Sequence, residues 1–575
     1  MSKAVNLVLC WHMHQPYYQE GPDGKYHLPW VYLHGIKDYS DMAAHLEKNP
    51  GMKAVVNFAP ILLEQLDDYG QQLERYLNQG TAMQDDMLNM LAGAIPIPEK
   101  AEDRKEVIMA CRRAHAPRMI EPHTLFSTLS HLFTCIPDGA PGELHSFALE
   151  YLDEQYFIDL LVWYHLAWMG HSLKKTPTVK RLLKKGKHFT MQDRRELIET
   201  IHEVISGLIP RYGALADRGQ IELSMSPYAH PIIPLLQDFS TMYDALPEAP
   251  APVYRRYPDG NHRAQWHLQK GVEVFERYFN RKPEGVWLSE GGISNESIAL
   301  LDKMGFKWTA SGEATWKASC TASTGCDPNN VSEGMRPLFQ PYQLNQHDTR
   351  IYFRDDGLSD LVGFEYRNWH ADDAVADFVK HIETIATALG DKADQHVVSV
   401  ILDGENAWEY YPENGHFFLD RLYKKLVKSK KIKVTTYADL NQDLEQDTLS
   451  TLVAGSWVYG SFSTWIGSDD KNRAWDLLVE AKKVYDDVLK KGSLNEDQQQ
   501  AAARQLAVCE SSDWFWWFGD YNPANSVSDF DQLYRTQLKK LYQLLDKPEP
   551  ANLGSPVSSG SEDELIDGGA MLRNV

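Results

Sequence analysis

Short apolar segments alternate with longer amphipathic segments through residues 1–440 of the chain. The apolar segments predict fully buried strands, because they are short and continuously apolar. These strands are predicted at residues 5–11, 54–58, 220–224, 285–288, 307–311, 396–402 and 432–436. Helical periodicity lies between several of them, at residues 263–279, 294–304, 371–389 and 415–428. This alternation predicts an α/β fold with a parallel sheet covered by helices, and seven strands favour a barrel or a part-closed barrel over an open sheet.

Three regions depart from this alternation. Residues 77–210 have helical patterns rich in Leu, Met and aromatic residues, for example "FIDLLVWYHLAWMGHSLKK", and predict a helical insertion that caps one end of the barrel. Residues 441–546 are helix-periodic and predict a C-terminal helical domain. Residues 547–575 are rich in Pro, Gly, Ser and acidic residues, which predicts a disordered tail. We therefore expect the catalytic barrel to occupy residues 1–440.

The charge and the aromatic content restrict the partners of the protein. The formal net charge is −22 and the isoelectric point is about 5.4, which disfavours a nucleic acid or an anionic membrane as a partner. Aromatic residues make up 11% of the chain, with 16 Trp and 28 Tyr. So many rings suit either stacking on the flat faces of a ligand or packing between large domains.

The cysteines and the N-terminal segment predict a cytoplasmic protein. The six cysteines are dispersed and form no CxxC pair, so we expect reduced thiols. They are Cys10, Cys111, Cys135, Cys320, Cys326 and Cys509. The apolar run at the N-terminus is too short to span a membrane and lacks a small-residue cleavage site, so we interpret it as the first strand and not as a signal peptide.

Polar and ionisable residues follow four of the predicted strands. In a parallel strand–helix barrel the reactive groups gather at the C-terminal ends of the strands, so these residues are expected to meet at one edge. They are His12, His14, Gln15 and Tyr17 after the first strand, Glu222 and His230 at the third, Glu290 after the fourth, and Asp403, Glu405, Asn406, Trp408 and Tyr410 after the sixth.

Glu290 and Asp403 are the strongest candidates for chemistry. Each directly follows an apolar strand and precedes a glycine, which allows a tight turn at the strand tip. A helix-capping role fits Glu290 poorly, because Ser294 or Asn295 is the better cap for the next helix. Two carboxyl groups that face one cavity predict acid and nucleophile chemistry on an acetal, with one group protonated and the other ionised.

The histidines and the other carboxylate have simpler interpretations as well. His12 and His14 are two positions apart and share a strand face, which suits a pair of hydrogen-bonded histidines or a metal-ligand pair. A metal would need Asp403 or His230 to complete the site, and we predict no metal. Glu222 taken alone fits an ordinary exposed strand residue better than a site residue.

These residues and their order resemble glycoside hydrolase family 57, which includes α-amylases, amylopullulanases, 4-α-glucanotransferases and branching enzymes. "HMHQP" is similar to the first motif of that family, "GQIELSMSPYAHPII" to the second, "GVWLSEGG" to the third and "ILDGENAWEYY" to the fourth. The segment "SWVYGSFSTWIGSDDKNRAW" corresponds to the less regular fifth motif. The resemblance thus covers residues 12–411 with four ordered motifs.

The resemblance implies an incomplete (β/α)7 barrel with a C-terminal helical bundle, and retaining chemistry on α-glucans or maltooligosaccharides without a cofactor or a required metal. Glu290 would be the nucleophile and Asp403 the general acid/base. The substrate-binding residues carried over by the motifs are His12, His14, Glu222, His230, Trp287, Glu405, Trp408, Tyr410, Trp457 and Asp469. Among them Trp287, Trp408 and Tyr410 would stack on sugar faces.

Several alternatives remain open at the level of sequence. The segment "DGENAWEYYP" and the aromatic cluster "SSDWFWWFGDY" at residues 511–521 resemble the amylopullulanase branch of the family. This resemblance favours hydrolysis over transfer. A 4-α-glucanotransferase or a branching enzyme shares the same first half-reaction. A zinc-dependent α-mannosidase or polysaccharide deacetylase would use the "HMH" segment with Asp403, and a non-catalytic glycan-binding protein would keep the fold without turnover.

Overall fold

The computed structural model describes residues 3–21, 24–134, 148–330, 336–440 and 444–561. Its strands are β1 (Val5–Met13), β2 (Ala54–Phe58), β3 (Ile221–Met225), β4 (Trp308–Ser311), β5 (Tyr342–Leu344), β6 (Arg350–Phe353), β7 (Val397–Asp403), β8 (Ile432–Val434) and β9 (Asp447–Leu449).

The α-helices alternate with these strands and then continue beyond them to the C-terminal region. In chain order the first ten are α1 (Trp30–His34), α2 (Ser40–Lys48), α3 (Pro60–Gln79), α4 (Asp86–Ala92), α5 (Ala101–Cys111), α6 (Thr124–Thr134), α7 (Glu154–Trp168), α8 (Pro177–Lys185), α9 (Met191–Asp217) and α10 (Ile233–Gln237). The others are α11 (Gly260–Phe279), α12 (Asn295–Met304), α13 (Glu313–Ala322), α14 (Asp356–Asp360), α15 (Ala371–Leu389), α16 (His416–Lys428), α17 (Asp469–Lys491), α18 (Glu496–Cys509), α19 (Ser512–Trp517) and α20 (Ala524–Leu544).

Seven parallel strand positions form a ring. Strands β3, β2, β1 and β7 pair in that order in one sheet, and β4 pairs with β6 in a second sheet. Isolated parallel bridges join the two sheets. On one side, Val286 pairs with Met225 of β3, and the adjacent Gly285 pairs with Trp308 of β4. On the other side, Arg354 pairs with Ser399 of β7. The ring closes through these short junctions, and the predicted incomplete (β/α)7 barrel is confirmed.

The register of β1 decides which side chains reach the mouth of the barrel. All nine residues of β1 are buried, as expected for a strand covered on both faces in a parallel sheet. The strand extends two residues beyond the predicted end at Trp11, so His12 lies within it. His12 pairs with Asn57 of β2 on one side and with Asp403 of β7 on the other.

The sixth position of the ring differs from the prediction. It is occupied by β6, whereas the predicted strand at 432–436 forms β8, which pairs with the first three residues of β1. The segment at 285–288 joins the ring through single bridges and forms no regular strand. β6 was missed because a four-residue strand that begins with Arg350 and is followed by Arg354 is too short to show a strand pattern. The short strands β5 and β9 were missed for the same reason.

The helical insertion contacts the C-terminal end of the barrel. The His115 ring bonds the backbone carbonyl of Glu409, and the Arg118 guanidinium donates to the carbonyl of Tyr410. Both carbonyls belong to the loop that follows β7, so the insertion lies against the end where strand tips meet. Within the described residues, no helix is both long and apolar enough to span a membrane.

Two expectations need correction. Cys320 and Cys326 form a disulfide, because the turn after α13 brings their Cα atoms to 5.0 Å, a normal bridging distance. Cys10, Cys111 and Cys509 are free and buried, and Cys135 lies outside the described residues. In the segment predicted as a disordered tail, Leu553 and Val557 are buried against the helical core; residues 562–575 lie outside the described residues.

A buried ion pair joins the barrel to the C-terminal helical region. Glu510, just after α18, accepts hydrogen bonds from Arg263 and from Tyr257, and lies 2.8 Å from the His267 ring nitrogen. Arg263 and His267 belong to α11, and all four side chains are buried. The charge of Arg263 and the bond to His267 lower the pKa of Glu510 to about 2, against the effect of its burial.

We expect Glu510→Ala to lower the free energy of unfolding by about 3–5 kcal/mol, because it leaves the Arg263 guanidinium buried without its counter-charge. The measurement is chemical denaturation followed by fluorescence. Glu273→Ala is the matched control. Glu273 pairs with Lys270 at the surface of α11, the helix that carries Arg263, and its loss should change stability by no more than about 0.5 kcal/mol. Equal losses in the two variants would contradict the structural role of Glu510.

Candidate active site

A strained turn projects Glu290 from the barrel wall. Glu290 has φ 58° and ψ 23°, a left-handed conformation that is uncommon for a residue with a side chain. The next residue, Gly291, also has a positive φ, and a Cβ atom there would lie 2.8 Å from the Trp287 ring. The Ser311 hydroxyl donates to the carbonyl of Gly291 and holds the turn. The glycine therefore permits the turn that directs the carboxylate over the barrel.

Trp457 holds one oxygen of Glu290 and leaves the other available. The indole N–H donates to Oε2 at 2.9 Å, and the backbone N–H of Trp457 donates to the Glu290 carbonyl at 3.1 Å. Oε1 lies 4.0 Å from Nδ1 of His230. The side chain of Glu290 remains 16% exposed, so a ligand can reach the free oxygen.

Asp403 is the last residue of β7 and lies beside His12 in the register. Its Oδ2 accepts a hydrogen bond of 2.9 Å from the Asn406 side chain. Asp403 is half-buried. The segment 403–406 therefore places a carboxylate and the amide that supports it at the mouth of the barrel.

The two carboxyl groups interact electrostatically. Burial raises the pKa of Glu290 to about 8, and the negative charge of Asp403 contributes to the shift. Burial also raises the pKa of Asp403, although the Asn406 amide and the charges of His14 and Arg354 oppose the rise. Like charges close to each other resist double ionisation, so the pair retains a proton near neutral pH.

Three histidine rings stack behind the carboxyl pair. His12 Nδ1 lies 2.7 Å from the Asn57 Oδ1, and its Nε2 lies 3.2 Å from Nε2 of His230. His14 stacks on His230 with ring centroids 3.8 Å apart and bonds Asp513 at 2.8 Å. Burial lowers the pKa of His12 to about 3 and lowers that of His230 well below its usual value. Both of these rings are therefore neutral.

Glu405 links two of the loops at the site. Its Oε1 accepts hydrogen bonds from the Gln15 side chain, the Tyr39 hydroxyl and the backbone N–H of His14. Burial, followed by the nearby charge of Asp403, raises the pKa of Glu405 well above its usual range. A neutral Glu405 thus holds the loop after β1 against the loop after β7.

Glu222, another predicted binding residue, lies below the barrel mouth. Glu222 belongs to the layer of Cys10 and Val55, one layer below that of His12 and Asn57. There it accepts hydrogen bonds from the Trp308 indole and the backbone N–H of Ala438, and burial raises its pKa to about 7. The register therefore corrects its predicted role, since its carboxylate is occupied below the barrel mouth.

The predicted stacking residues are mostly part of the core. Trp287 is 0% and Trp408 1% exposed, so neither ring offers a face to a sugar. Trp408 donates to the carbonyl of Gly404 and contacts Trp11 at its edge. Tyr410 is covered by the Arg367 guanidinium. Asp469 is exposed at the first position of α17. Trp457, in contrast, donates its indole N–H to Glu290.

Four residues at the site were missed by the sequence analysis: Asn57, Arg354, Ser512 and Asp513. Asn57 is a polar residue within the otherwise apolar strand β2. Its alignment with His12 on the neighbouring strand could have indicated a place at the site. Arg354 follows the missed strand β6 and lies over the Trp457 ring, 5.2 Å from its centroid. Ser512 and Asp513 belong to the segment that was noted for its aromatic residues alone.

His14, His230 and Asp513 have ligand atoms within 4.8 Å of one another, which raises the possibility of a metal site. The rings of His14 and His230 are nearly parallel, at 18°. Because nitrogen lone pairs lie in the ring plane, stacked rings direct them side by side and not toward one point. Both nitrogens of His230 are also hydrogen-bonded already. The arrangement does not fit a metal ion.

Comparison with solved structures agrees with the barrel. A branching enzyme of family 57 from Thermococcus kodakaraensis is 14% identical, with a TM-score of 0.55 over 94% of this chain and 90% of that one. The branching enzyme from Pyrococcus horikoshii is 15% identical, with a TM-score of 0.55 over 99% and 100%. The α-amylase AmyC from Thermotoga maritima is 14% identical, with a TM-score of 0.56 over 94% and 93%. At these identities the likeness supports the fold.

A search of curated protein sequences finds no significant match. The family model described as glycosyl hydrolase family 57 matches residues 8–452, a range that includes Glu290, Asp403 and the three stacked histidines. The chain therefore belongs to glycosyl hydrolase family 57 and is an enzyme that acts on glycosides.

Proposed function

We propose that this enzyme hydrolyses α-glucans with retention of configuration, with Glu290 as the nucleophile and Asp403 as the general acid/base. The observation that carries the proposal is the interacting pair of carboxyl groups at the barrel mouth, where burial and then the charge of Asp403 raise the pKa of Glu290. The structural neighbours whose names include an α-amylase and branching enzymes support an α-glucan as the substrate class.

In the first step, Oε1 of Glu290 attacks the anomeric carbon while Asp403 gives its proton to the glycosidic oxygen. The bond between carbon and oxygen breaks, the shortened glucan leaves with a free hydroxyl, and the sugar stays linked to Glu290. In the second step, ionised Asp403 takes a proton from water, whose oxygen attacks the anomeric carbon and releases Glu290. Two inversions give net retention.

The contacts at the site suit these roles. Attack requires that the shared proton resides on Asp403. The Trp457 N–H stabilises the ionised form of Glu290, and a glycosidic oxygen beside Asp403 would accept a hydrogen bond from its protonated form. Because Trp457 occupies Oε2, Oε1 is the oxygen available for bond formation.

Transfer is the alternative outcome of the second step. A 4-α-glucanotransferase or branching enzyme would admit a sugar hydroxyl in place of water, and the branching enzymes among the structural neighbours favour that candidate. The resemblance of "DGENAWEYYP" and of residues 511–521 to the amylopullulanase branch favours hydrolysis instead. We propose hydrolysis and the following tests.

Removal of either carboxyl group should abolish turnover in a folded protein. We expect Glu290→Gln to lower kcat by about 10⁴-fold or more, and Asp403→Asn to lower it by about 10²–10⁴-fold. Azide then distinguishes the two roles. With α-glucosyl fluoride as donor, Glu290→Ala should yield the β-glucosyl azide, because azide attacks from the vacated face, and Asp403→Ala should yield the α-glucosyl azide through the glycosyl-enzyme. The opposite pair of anomers, read by NMR, would reverse the assignment.

The alkaline limit of activity should lie near pH 8. The carboxyl pair must keep one proton to protonate the leaving group, and the last proton is lost as pH rises through the Glu290 pKa of about 8. Trp457→Phe removes an N–H that stabilises ionised Glu290, so this pKa rises and the alkaline limb of kcat/KM should move to higher pH. Trp369→Phe, at an exposed ring, is the control. A limb that stays in place or moves lower in Trp457→Phe would refute the link.

The product profile separates hydrolysis from transfer. From maltoheptaose we expect shorter sugars only, with the α-anomer formed first by NMR, and the same assay on pullulan reports whether α-1,6 links are cut. EDTA should leave the rate unchanged, since the histidine geometry does not suit a metal. Longer maltooligosaccharides would indicate disproportionation, new branch points would indicate a branching enzyme, and loss of activity in EDTA that zinc restores would favour the metal-dependent alternative.

A further inference from the structure

Ser512 of the C-terminal helical region contacts His230 twice. Its backbone N–H donates to the His230 carbonyl at 3.0 Å, and its hydroxyl lies 2.9 Å from the His230 Nδ1. Both residues are buried. His230 has φ 60°, a strained conformation for a residue with a side chain, which persists where surrounding contacts fix it. Ser512 thus holds both the backbone and the ring of His230.

The hydrogen-bond network determines the tautomer of His230. The Asn57 amide donates to Ser224 and its Oδ1 accepts from Ser226, so this Oδ1 needs an N–H from His12 Nδ1. A neutral His12 has only one N–H, and its Nε2 is therefore an acceptor. The neighbouring Nε2 of His230 must then carry the proton. The remaining Nδ1 of neutral His230 is an acceptor.

We propose that Ser512 is a positioning residue whose hydroxyl occupies the Nδ1 lone pair of His230 and thereby fixes the neutral ring as the tautomer that donates from Nε2 to His12 and does not donate to Glu290. The Nδ1 atom lies 4.0 Å from Oε1 of Glu290. With its proton on Nδ1 instead of Nε2, His230 would donate to the oxygen needed for attack. With Ser512 as its donor, Nδ1 is satisfied and Oε1 stays free. This inference rests on the proposed role of Glu290.

The pH test must account for every ionisable group near this contact. His12 of β1 and His14 just after it face His230, and Asp403 of β7 and Asp513 of α19 act on Glu290. None of these groups changes in Ser512→Ala, so a shift in the pH profile reports the loss of the hydroxyl itself. The backbone N–H of residue 512 also remains in that variant.

In Ser512→Ala, the proton of neutral His230 should shift from Nε2 to Nδ1, so that the ring donates to Oε1. We expect kcat to fall by about tenfold or more with KM little changed, and the alkaline limb of kcat/KM to move down by about one pH unit, because an N–H that donates to Oε1 stabilises ionised Glu290. Ser512→Thr keeps the hydroxyl and should restore the wild-type profile. Ser558→Ala, a buried hydrogen-bonded serine of the same region, should leave it unchanged. A wild-type pH limb and kcat in Ser512→Ala would overturn the proposal.

Neutron diffraction of the unmodified enzyme tests the tautomer without a variant that must fold. We expect deuterium on Nε2 of His230 and on the Ser512 hydroxyl, and none on Nδ1. Deuterium on Nδ1 would overturn the inference. This result does not depend on turnover, so it is separate from the proposed function, which fails if Glu290→Gln retains wild-type activity.

Discussion

The parallel pairing of β1 between β2 and β7 is the constraint on which the site depends. This register aligns His12 with Asn57 and with Asp403, and it places Cys10, Val55 and the hydrogen-bonded Glu222 in the next layer down. Because side chains alternate faces along a strand, a slip of one residue would turn His12 away from the barrel interior. The positions of His12 and Asp403 at the barrel mouth therefore depend on ordinary backbone hydrogen bonds in the sheet.

The C-terminal helical region completes the site and does not merely flank it. Glu510 is fixed by Arg263 and His267 of the barrel helix α11, and two residues later the chain reaches Ser512 and Asp513, which bind His230 and His14. A buried charge pair is costly unless it is well hydrogen-bonded. Here the bonds of Glu510 to Arg263 hold in place the segment whose next residues bind the histidines. Domain docking and histidine orientation are thus coupled.

The aromatic residues serve packing more than ligand stacking. The indoles of Trp287 and Trp408 are buried beneath the site, where they support the Glu290 turn and the loop after β7. Trp457 combines both uses, since its N–H binds Glu290 while the Arg354 guanidinium lies over its ring. Composition left stacking and packing as equal alternatives, and position relative to the strand tips separates them, because only a ring at the rim can present a face to a ligand.

The sequence alone determined the strand–helix alternation and the local features of Glu290 and Asp403, because both depend on short-range patterns: an apolar strand followed by a carboxylate and a glycine. It also carried the family motifs, so the barrel was predictable. The tertiary structure decided what depends on distant contacts. Strand register places Asn57 at the site and Glu222 below it. Arg354 follows a strand too short to detect from sequence. Ser512 and Asp513 lie at the site although more than 200 residues of chain separate them from His230. No local pattern encodes such pairings, since they are fixed by how whole elements pack together.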